Sequence, residues 1–339
     1  MDMQFGVMLR GLFDWDDDMT VRFDELMEQA RLIDKLGYDC ITKGSHFSTY
    51  PHQEMTQIPF LCRVMSEAPN VRLNAGIVLM ALHNPMEVAD YFATMDLMSG
   101  GRMIFGCALG YRDVEFKAFG VKKGQGVKRF EENLTAVRRL WTEEKVSMEG
   151  STFELDEARI SVPLQQDPHP PIWIGANADK AIQRAARMGD CWYLNPHQKV
   201  ETLLRQMDVY KAELDRVGKP FPKELPIRRE VFCAPTHDEA VELAAPYIKG
   251  MYDAYKTWGQ DKVMPEEDRD ITQEYAELAK DRFIVGDPDE VAAEYIRYNE
   301  VLGVNHIIMS VQGVGMPQGQ VLDTLALVAE EVMPKVRAA

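Results

Sequence analysis

The sequence lacks most of what would tie a chain to an oxidising compartment, a membrane or a nucleic acid. Its five cysteines (Cys40, Cys62, Cys107, Cys191, Cys233) are an odd number among 339 residues, and no two form a Cys-x-x-Cys pair. Most sit in apolar runs, where a reduced, buried thiol is the default, so a cytoplasmic protein is expected. No apolar run approaches the roughly 20 residues that span a bilayer. The chain starts on a strand-like run and not on a basic-then-apolar leader. Positive charge is also short: 38 Lys and Arg face 54 Asp and Glu, a formal net charge of −16. That excess removes the basic face that phosphate backbones and anionic membrane surfaces require. The seven histidines (His46, His52, His83, His169, His197, His237, His306) show no metal-ligand spacing, which argues against a metal site. There is no Gly-x-Ser-x-Gly, hence no nucleophile elbow. Neither an internal repeat nor a low-complexity segment interrupts the chain.

What is present is a soluble core-forming composition, 46% hydrophobic and 27% charged, arranged as an alternation. Short apolar runs at residues 4–9, 38–42, 72–81, 103–109, 172–174, 191–194, 228–234 and 304–311 read as strands covered on both faces. Helical stripes separate them. Examples are 22–36 with its stop at Gly37, the Asn84-Pro85-Met86-Glu87 start with cap, N1 proline and N3 glutamate, and Asp287-Pro288-x-Glu290. Thr236-x-x-Glu239 opens another helix, which Pro246 should kink or end. After Glu144 the alternation breaks for a hairpin at 146–153 and a Pro-rich stretch through Pro171. A polar, irregular segment at about 250–285 reads as a mobile insertion. Eight strands alternating with helices predict an α/β protein, a (β/α)8 TIM barrel with insertions after strand 4 and strand 7. The chain reads as a single domain over residues 1–339.

Such a barrel keeps its site at the carboxyl ends of its strands. That nominates Arg10, Ser45, His46, Ala75, Gly76, Tyr111, Gly175–Asn177, Trp192, Tyr193 and the loop after Val311. The stretch 99–120 shows the pattern best: a Gly100-Gly101 stop, a buried strand, then Gly110 and the aromatic Tyr111. Gly-Ala-Asn-Ala-Asp at 175–179 offers small residues and a helix N-terminus, hence an anion site. An ordinary helix start capped by Asn177 fits the same residues. His46 fits an acid/base or hydrogen-bond donor role, or a hydrogen-bonded loop histidine. Cys107, mid-strand, belongs to the core. Phe13, Trp15, Phe47, Tyr50 and Met55 suit either the wall of an apolar pocket or lid packing and a dimer contact.

In order and spacing, several pieces resemble the bacterial luciferase-like flavin monooxygenases over essentially the whole chain. They are G-S-H-F (44–47), N-A-G-I-V-L (74–79), H-N-P (83–85), M-D-L-M-S-G-G-R (95–102), F-G-C-A-L-G-Y (105–111), E-F-K-A-F-G (115–120) and V-G-D-P-D-E (285–290). The resemblance implies reduced FMN at the carboxyl end of the barrel. Its phosphate would lie near Gly175, Ala176, Asn177 and Lys180, and its ring by Ala75, Gly76 and Tyr111. A non-prolyl cis peptide is implied near residues 74–76. The sequence departs from luciferase in four places. Ser45 stands where luciferase has its catalytic histidine, so His46 matches only the second of that His-His pair. Ala108, Leu109 and Ala176 replace a reactive cysteine, a phosphate-contacting arginine and a glutamate. Light emission is therefore not expected.

The implied activity is a monooxygenase. A separate NAD(P)H-dependent flavin reductase would supply reduced FMN, and O2 would add at the flavin C4a to give a hydroperoxide. That hydroperoxide would oxygenate a small apolar or carbonyl substrate, with His46 as the catalytic donor. The family also suggests a homodimer or a heterodimer with a related chain. Three alternatives stay open: a hydride-transferring enzyme using the deazaflavin coenzyme, a non-catalytic flavin-binding partner subunit, and an unrelated barrel lyase or isomerase.

Overall fold

The computed structural model describes residues 2–339. Eight parallel strands close a barrel in chain order: β1 (Gln4–Met8), β2 (Cys40–Lys43), β3 (Arg72–Leu79), β4 (Met103–Ala108), β5 (Ile172–Ala176), β6 (Cys191–Leu194), β7 (Pro226–Cys233) and β8 (His306–Ser310). β8 closes onto β1 through Gln4↔His306 and Phe5↔Ile307. The β6–β7 seam is thinnest, paired at Leu194↔Ile227. The expected (β/α)8 architecture is thus the observed one.

Strand residues point alternately inward and outward, which splits the core in two. Met8, Cys40, Ile104, Trp173, Cys191, Tyr193 and Ile308 fill the barrel interior. Phe5, Ile41, Leu73, Phe105 and Ile307, among many others, pack outward against the helices. All five thiols are free, and only Cys62 is not fully buried. Cys107 lies in the outer core, as expected.

Helix ends follow the sequence signals. Asn84 Oδ1 accepts from Met86 N, with Pro85 at the first position and Gly100 left-handed at the far end. Asp287 and Glu290 form a reciprocal capping box. Pro246 does not end its helix; His237–Thr257 runs through it. The missing donor is tolerated inside a helix anchored on both sides by Ala240, Ala244, Ile248, Met251 and Tyr252 in the core.

Two small sheets replace expected loops or lie outside the barrel. Leu12–Asp14 pairs antiparallel with His52–Glu54 above the β1 and β2 ends, where only loop was expected. Val146–Glu149 and Glu154–Ala158 make the expected hairpin of the excursion after β4. The second insertion holds a further strand, Phe283–Gly286, which the sequence pattern did not announce. It pairs with the far half of β7 (Glu230↔Phe283 to Cys233↔Gly286), while β8 holds the near half (Pro226–Glu230). Past Glu230, β7 therefore leaves β8, and the insertion strand lies on the opposite edge of β7, toward the chain after β6, where Arg282 Nε donates to the His197 carbonyl.

The non-prolyl cis peptide lies at Gly76–Ile77, beside the expected stretch. The β3–β4 register shifts between Ala75 and Val78 there. Gly106 on β4 faces this point, and a Cβ at 106 would sit 2.7 Å from the Ala75 carbonyl oxygen, so only glycine lets the two backbones approach.

Candidate functional site at the carboxyl end of the barrel

The carboxyl strand ends gather buried polar side chains. A surface groove of about 530 Å³ lies elsewhere, beside Trp141 and residues 159–168 of the first insertion. A strand-end void of about 10 Å³ is walled by Arg10, Leu12, Met251, Ala254, Tyr255, Trp258 and Val314. We place the site by chemistry and not by volume, because charge is concentrated at the strand ends and the second insertion sits on top of it.

On the β2–β4 side, His46 Nδ1 lies 3.0 Å from Glu115 Oε1. The same carboxylate oxygen accepts from Phe47 N at 3.0 Å and from Arg112 Nη1 at 3.3 Å. Arg112 also donates to the carbonyls of Phe47 and Ser48, which fixes the 44–48 loop. A carboxylate only accepts, so Nδ1 carries the imidazole proton and Nε2 is left for other chemistry. The imidazole side chain is 21% exposed, while Glu115 is buried. Above them Trp258 covers His46 (ring centroids 5.2 Å) and Arg112 (guanidinium 4.4 Å from the ring).

Tyr111 follows Gly110, whose φ of +85° turns the chain sharply after β4. Its ring meets His46 edge-on at 6.1 Å. Its hydroxyl is buried without a protein partner, as are the Tyr193 hydroxyl and Asn74 Oδ1. Burial pushes both phenols well above their usual range. Orphaned buried polar atoms are rare, and three around one mouth call for a partner.

On the β5–β6 side, a Cβ at Gly175 would meet Ala108 at 3.6 Å and Ile77 at 3.7 Å, ordinary van der Waals contact. The helix Asp179–Met188 starts after Ala178 with no side-chain cap. Asn177 is not that cap, contrary to one expectation. Its side chain accepts from Asn195 Nδ2, and its carbonyl accepts from Gln198 and Gln206. The first-turn N–H groups thus face the strand-end side without a side-chain acceptor. Lys180 is exposed on that first turn.

On the β7–β1 side, Arg228 and Glu230 point into the mouth and Arg229 points away. Arg229 donates to the carbonyls of Asn195, Pro196 and Gln198 behind the sheet. Arg228 Nη2 donates to Glu230 Oε1 (3.0 Å) and Tyr255 Oη (3.0 Å); Arg10 Nη2 donates to Tyr255 Oη (2.6 Å). Arg10 also contacts the Met251 sulfur. Burial first, then Arg228 and Arg10, pull His197 well below its usual range, so it is neutral.

Of the residues nominated from sequence, His46, Gly76, Tyr111, Gly175, Asn177 and Arg10 meet at this mouth. Ala75 and Ala176 send their methyls into the outer core instead. Trp192 packs outward, its indole N–H on the Ala176 carbonyl. Trp15 and Tyr50 meet edge-on at the surface, and Phe47 packs on Phe119 and His83. Arg112, Glu115, Arg228, Glu230, Tyr255 and Trp258 were not singled out. For Arg228 and Glu230 a signal existed: charges two apart inside a buried parallel strand face the same way and need a reason.

A closed parallel barrel whose polar groups converge at the carboxyl strand ends is the architecture of a barrel enzyme. The sequence model of the luciferase-like monooxygenase family matches residues 3–306, and the chain belongs to that family. It is 26% identical over 335 residues to an F420-dependent glucose-6-phosphate dehydrogenase of Amycolatopsis mediterranei, covering 93% of this chain and 95% of the relative. It is 24% identical over 293 residues to the oxygenase component of a flavin-dependent trigonelline monooxygenase of Acinetobacter baylyi, covering 83% and 76%. The crystal structure of monooxygenase RslO1 from Streptomyces bottropensis superposes with a TM-score of 0.84 at 25% identity, covering 99% of this chain and 100% of that one. Relatives of both cofactor types mark the chain as an oxidoreductase of this family.

Proposed function

We propose that the protein is a monooxygenase that binds reduced FMN at the carboxyl end of its barrel and oxygenates a small organic substrate. The residues fit the cofactor. The uncapped start of helix Asp179–Met188, with Asn177 and Lys180 beside it, offers N–H groups and a cation to one phosphate. The unpartnered hydroxyls of Tyr111 and Tyr193 and the small surfaces of Gly76 and Gly175 suit a flat, polar-edged ring. The void between Arg10 and the Met251–Trp258 segment is about 10 Å³, so a ring seated in it would displace that segment. Reduced FMN supplies the electrons that activate O2. A separate NAD(P)H-dependent flavin reductase would supply it, as the word component implies for the Acinetobacter relative.

The protein's own part is to exclude water and place a proton. Trp258 and Tyr255 cover the mouth. Glu115 holds the His46 proton on Nδ1 and orients Nε2 toward the mouth. We assign His46 as the hydrogen-bond donor or acid/base residue.

The observation that carries FMN over the deazaflavin coenzyme is the charge at the β5 end. Arg205 there is taken by Asp179 (2.9 Å) and Glu267 (3.4 Å), and Arg282 by Asp268 (3.2 Å). A single phosphate can use the helix start; a longer anionic tail would find its arginines already paired. Hydride transfer with the deazaflavin coenzyme remains the second reading, favoured by the Amycolatopsis relative. The intact His46–Glu115 pair argues against a non-catalytic subunit.

Anaerobic titration with each reduced cofactor, followed by mixing with O2, tests the assignment. Tight binding of reduced FMN with O2 consumption coupled to substrate is the expected result. Binding of the reduced deazaflavin coenzyme in preference to FMN, with no O2 uptake, overturns it.

A further inference from the structure

Four cations meet at the barrel mouth, and only three carboxylates answer them. Lys43 Nζ is held by Glu54 at 2.6 Å. Arg112 is held by Glu115. Arg10 and Arg228 share the one remaining acid, Glu230, at 3.4 and 3.0 Å. His197, neutral, contributes nothing. One positive charge is therefore left on the Arg10–Arg228 pair, in a buried place, in a chain whose overall charge is −16. An uncompensated buried charge is costly, and a fold keeps one where something binds it.

The geometry shows what now stands in for that counter-charge. The Tyr255 hydroxyl oxygen accepts from Arg10 Nη2 at 2.6 Å and from Arg228 Nη2 at 3.0 Å. It is a hydroxyl oxygen set between two guanidiniums. Arg228 is held from the other side by Ser310, its Nε donating to Oγ at 3.0 Å. The fork is thus fixed on the barrel wall, whereas Tyr255 comes from helix His237–Thr257 of the insertion and borders the void with Met251 and Trp258. β1 lies across the barrel from β5 and β7 stands two strands from it, so the pair sits apart from the helix start assigned to the FMN phosphate.

We propose that Arg10 and Arg228 form the anion-binding end of the substrate pocket, and that the substrate carries a single carboxylate, which takes the place of the Tyr255 hydroxyl. This rests on the monooxygenase reading for the reaction but not for the anion site itself. Two guanidinium forks match the two oxygens of a carboxylate, and one surplus charge matches a monoanion and not a dianion. An organic acid thereby takes the place of the expected apolar or carbonyl substrate.

Calorimetric titration of the whole protein, with and without reduced FMN and without O2, tests this using benzoate, its neutral isostere benzamide, and inorganic phosphate. Benzoate is expected to bind at least tenfold more tightly than benzamide or phosphate. Arg10→Met and Arg228→Met should each lose at least tenfold in benzoate affinity, with Arg228→Lys in between. Tyr255→Phe, which removes the competing oxygen, should tighten benzoate several-fold, and it decides the matter if an arginine variant fails to fold. Equal binding of benzoate and benzamide, no benzoate binding, tighter binding of phosphate, or an unchanged affinity in Tyr255→Phe overturns the proposal. FMN binding is read separately from flavin fluorescence. Benzoate selectivity without FMN binding would sink the cofactor assignment and leave the anion site standing. FMN binding without benzoate selectivity would do the reverse.

Discussion

The two ends of the barrel carry the same three residue types in nearly the same arrangement. At the amino end, His306 Nδ1 lies 2.8 Å from Glu224 Oε1, and Arg72 donates to both Glu224 oxygens at 2.7 and 3.2 Å. At the carboxyl end, His46 Nδ1 lies 3.0 Å from Glu115 Oε1, with Arg112 at 3.3 Å. The difference is in what surrounds the imidazole. His306 is wholly buried, packed edge-on against Trp173 at 5.3 Å, with Nε2 sealed in. His46 keeps partial exposure under a tryptophan that belongs to an insertion. A His–Glu–Arg trio is therefore not a site by composition. It becomes one where the strand ends and the covering segment give the imidazole something to reach.

The largest expected effect tests the amino-end trio as structure. Glu224→Ala should cost about 3–5 kcal/mol of stability by stranding Arg72 and His306, with turnover per folded molecule unchanged. Urea unfolding and a cofactor titration read the two parts. Lost activity at full stability would erase the contrast.

His46→Ala should do the opposite. We expect turnover to fall by about 10²–10³-fold, with less than about 1 kcal/mol of stability lost. Equal turnover in wild type and variant would leave the carboxyl-end trio as structural as the other.

A pH titration of stability sharpens the same comparison. Burial acts to raise the Glu224 carboxyl, but its bonds to His306 and Arg72 outweigh this and bring it down to about 2 from the usual 4.5. The folded value lies below the unfolded one, so the unfolded chain takes up the proton first. This contribution is complete above about pH 5, worth about 3 kcal/mol, and lost as pH falls toward 2. Glu224→Gln should flatten that slope, and a slope unchanged in the variant would assign it elsewhere.

The smallest effect concerns the cover. Trp258→Ala removes the contacts to His46 and Arg112, worth about 1 kcal/mol of closure. Stopped-flow release of reduced FMN should speed up about fivefold, with unfolding unchanged. No change in release would mean that Tyr255 and Met251 close the mouth alone.

The barrel was readable because most strands are near-continuous apolar runs bounded by glycine or by caps such as Asn84 and Asp287, and those signals are local. The strand ends then pointed to Arg10, His46, Tyr111 and Asn177. The partners of these residues were not readable. Glu115 lies 69 residues beyond His46, and Tyr255 lies 245 beyond Arg10. Ala75 and Ala176 were nominated by position along their strands, but strand alternation turns their methyls outward. The second insertion read as polar and irregular because its strand, Phe283–Gly286, is four residues long and gains its pairing from β7.

The sequence by itself determined eight buried strands, their order and the end at which polar residues collect, because apolar periodicity and capping act between residues close in the chain. Which charges become partners was decided only by the closed barrel. It set Arg10 beside Arg228 with one shared carboxylate, and Arg72 beside Glu224 with none to spare. That depends on register around the barrel and on where the insertion folds back, since electrostatic pairing acts over a few ångströms of space however far apart the residues stand in sequence.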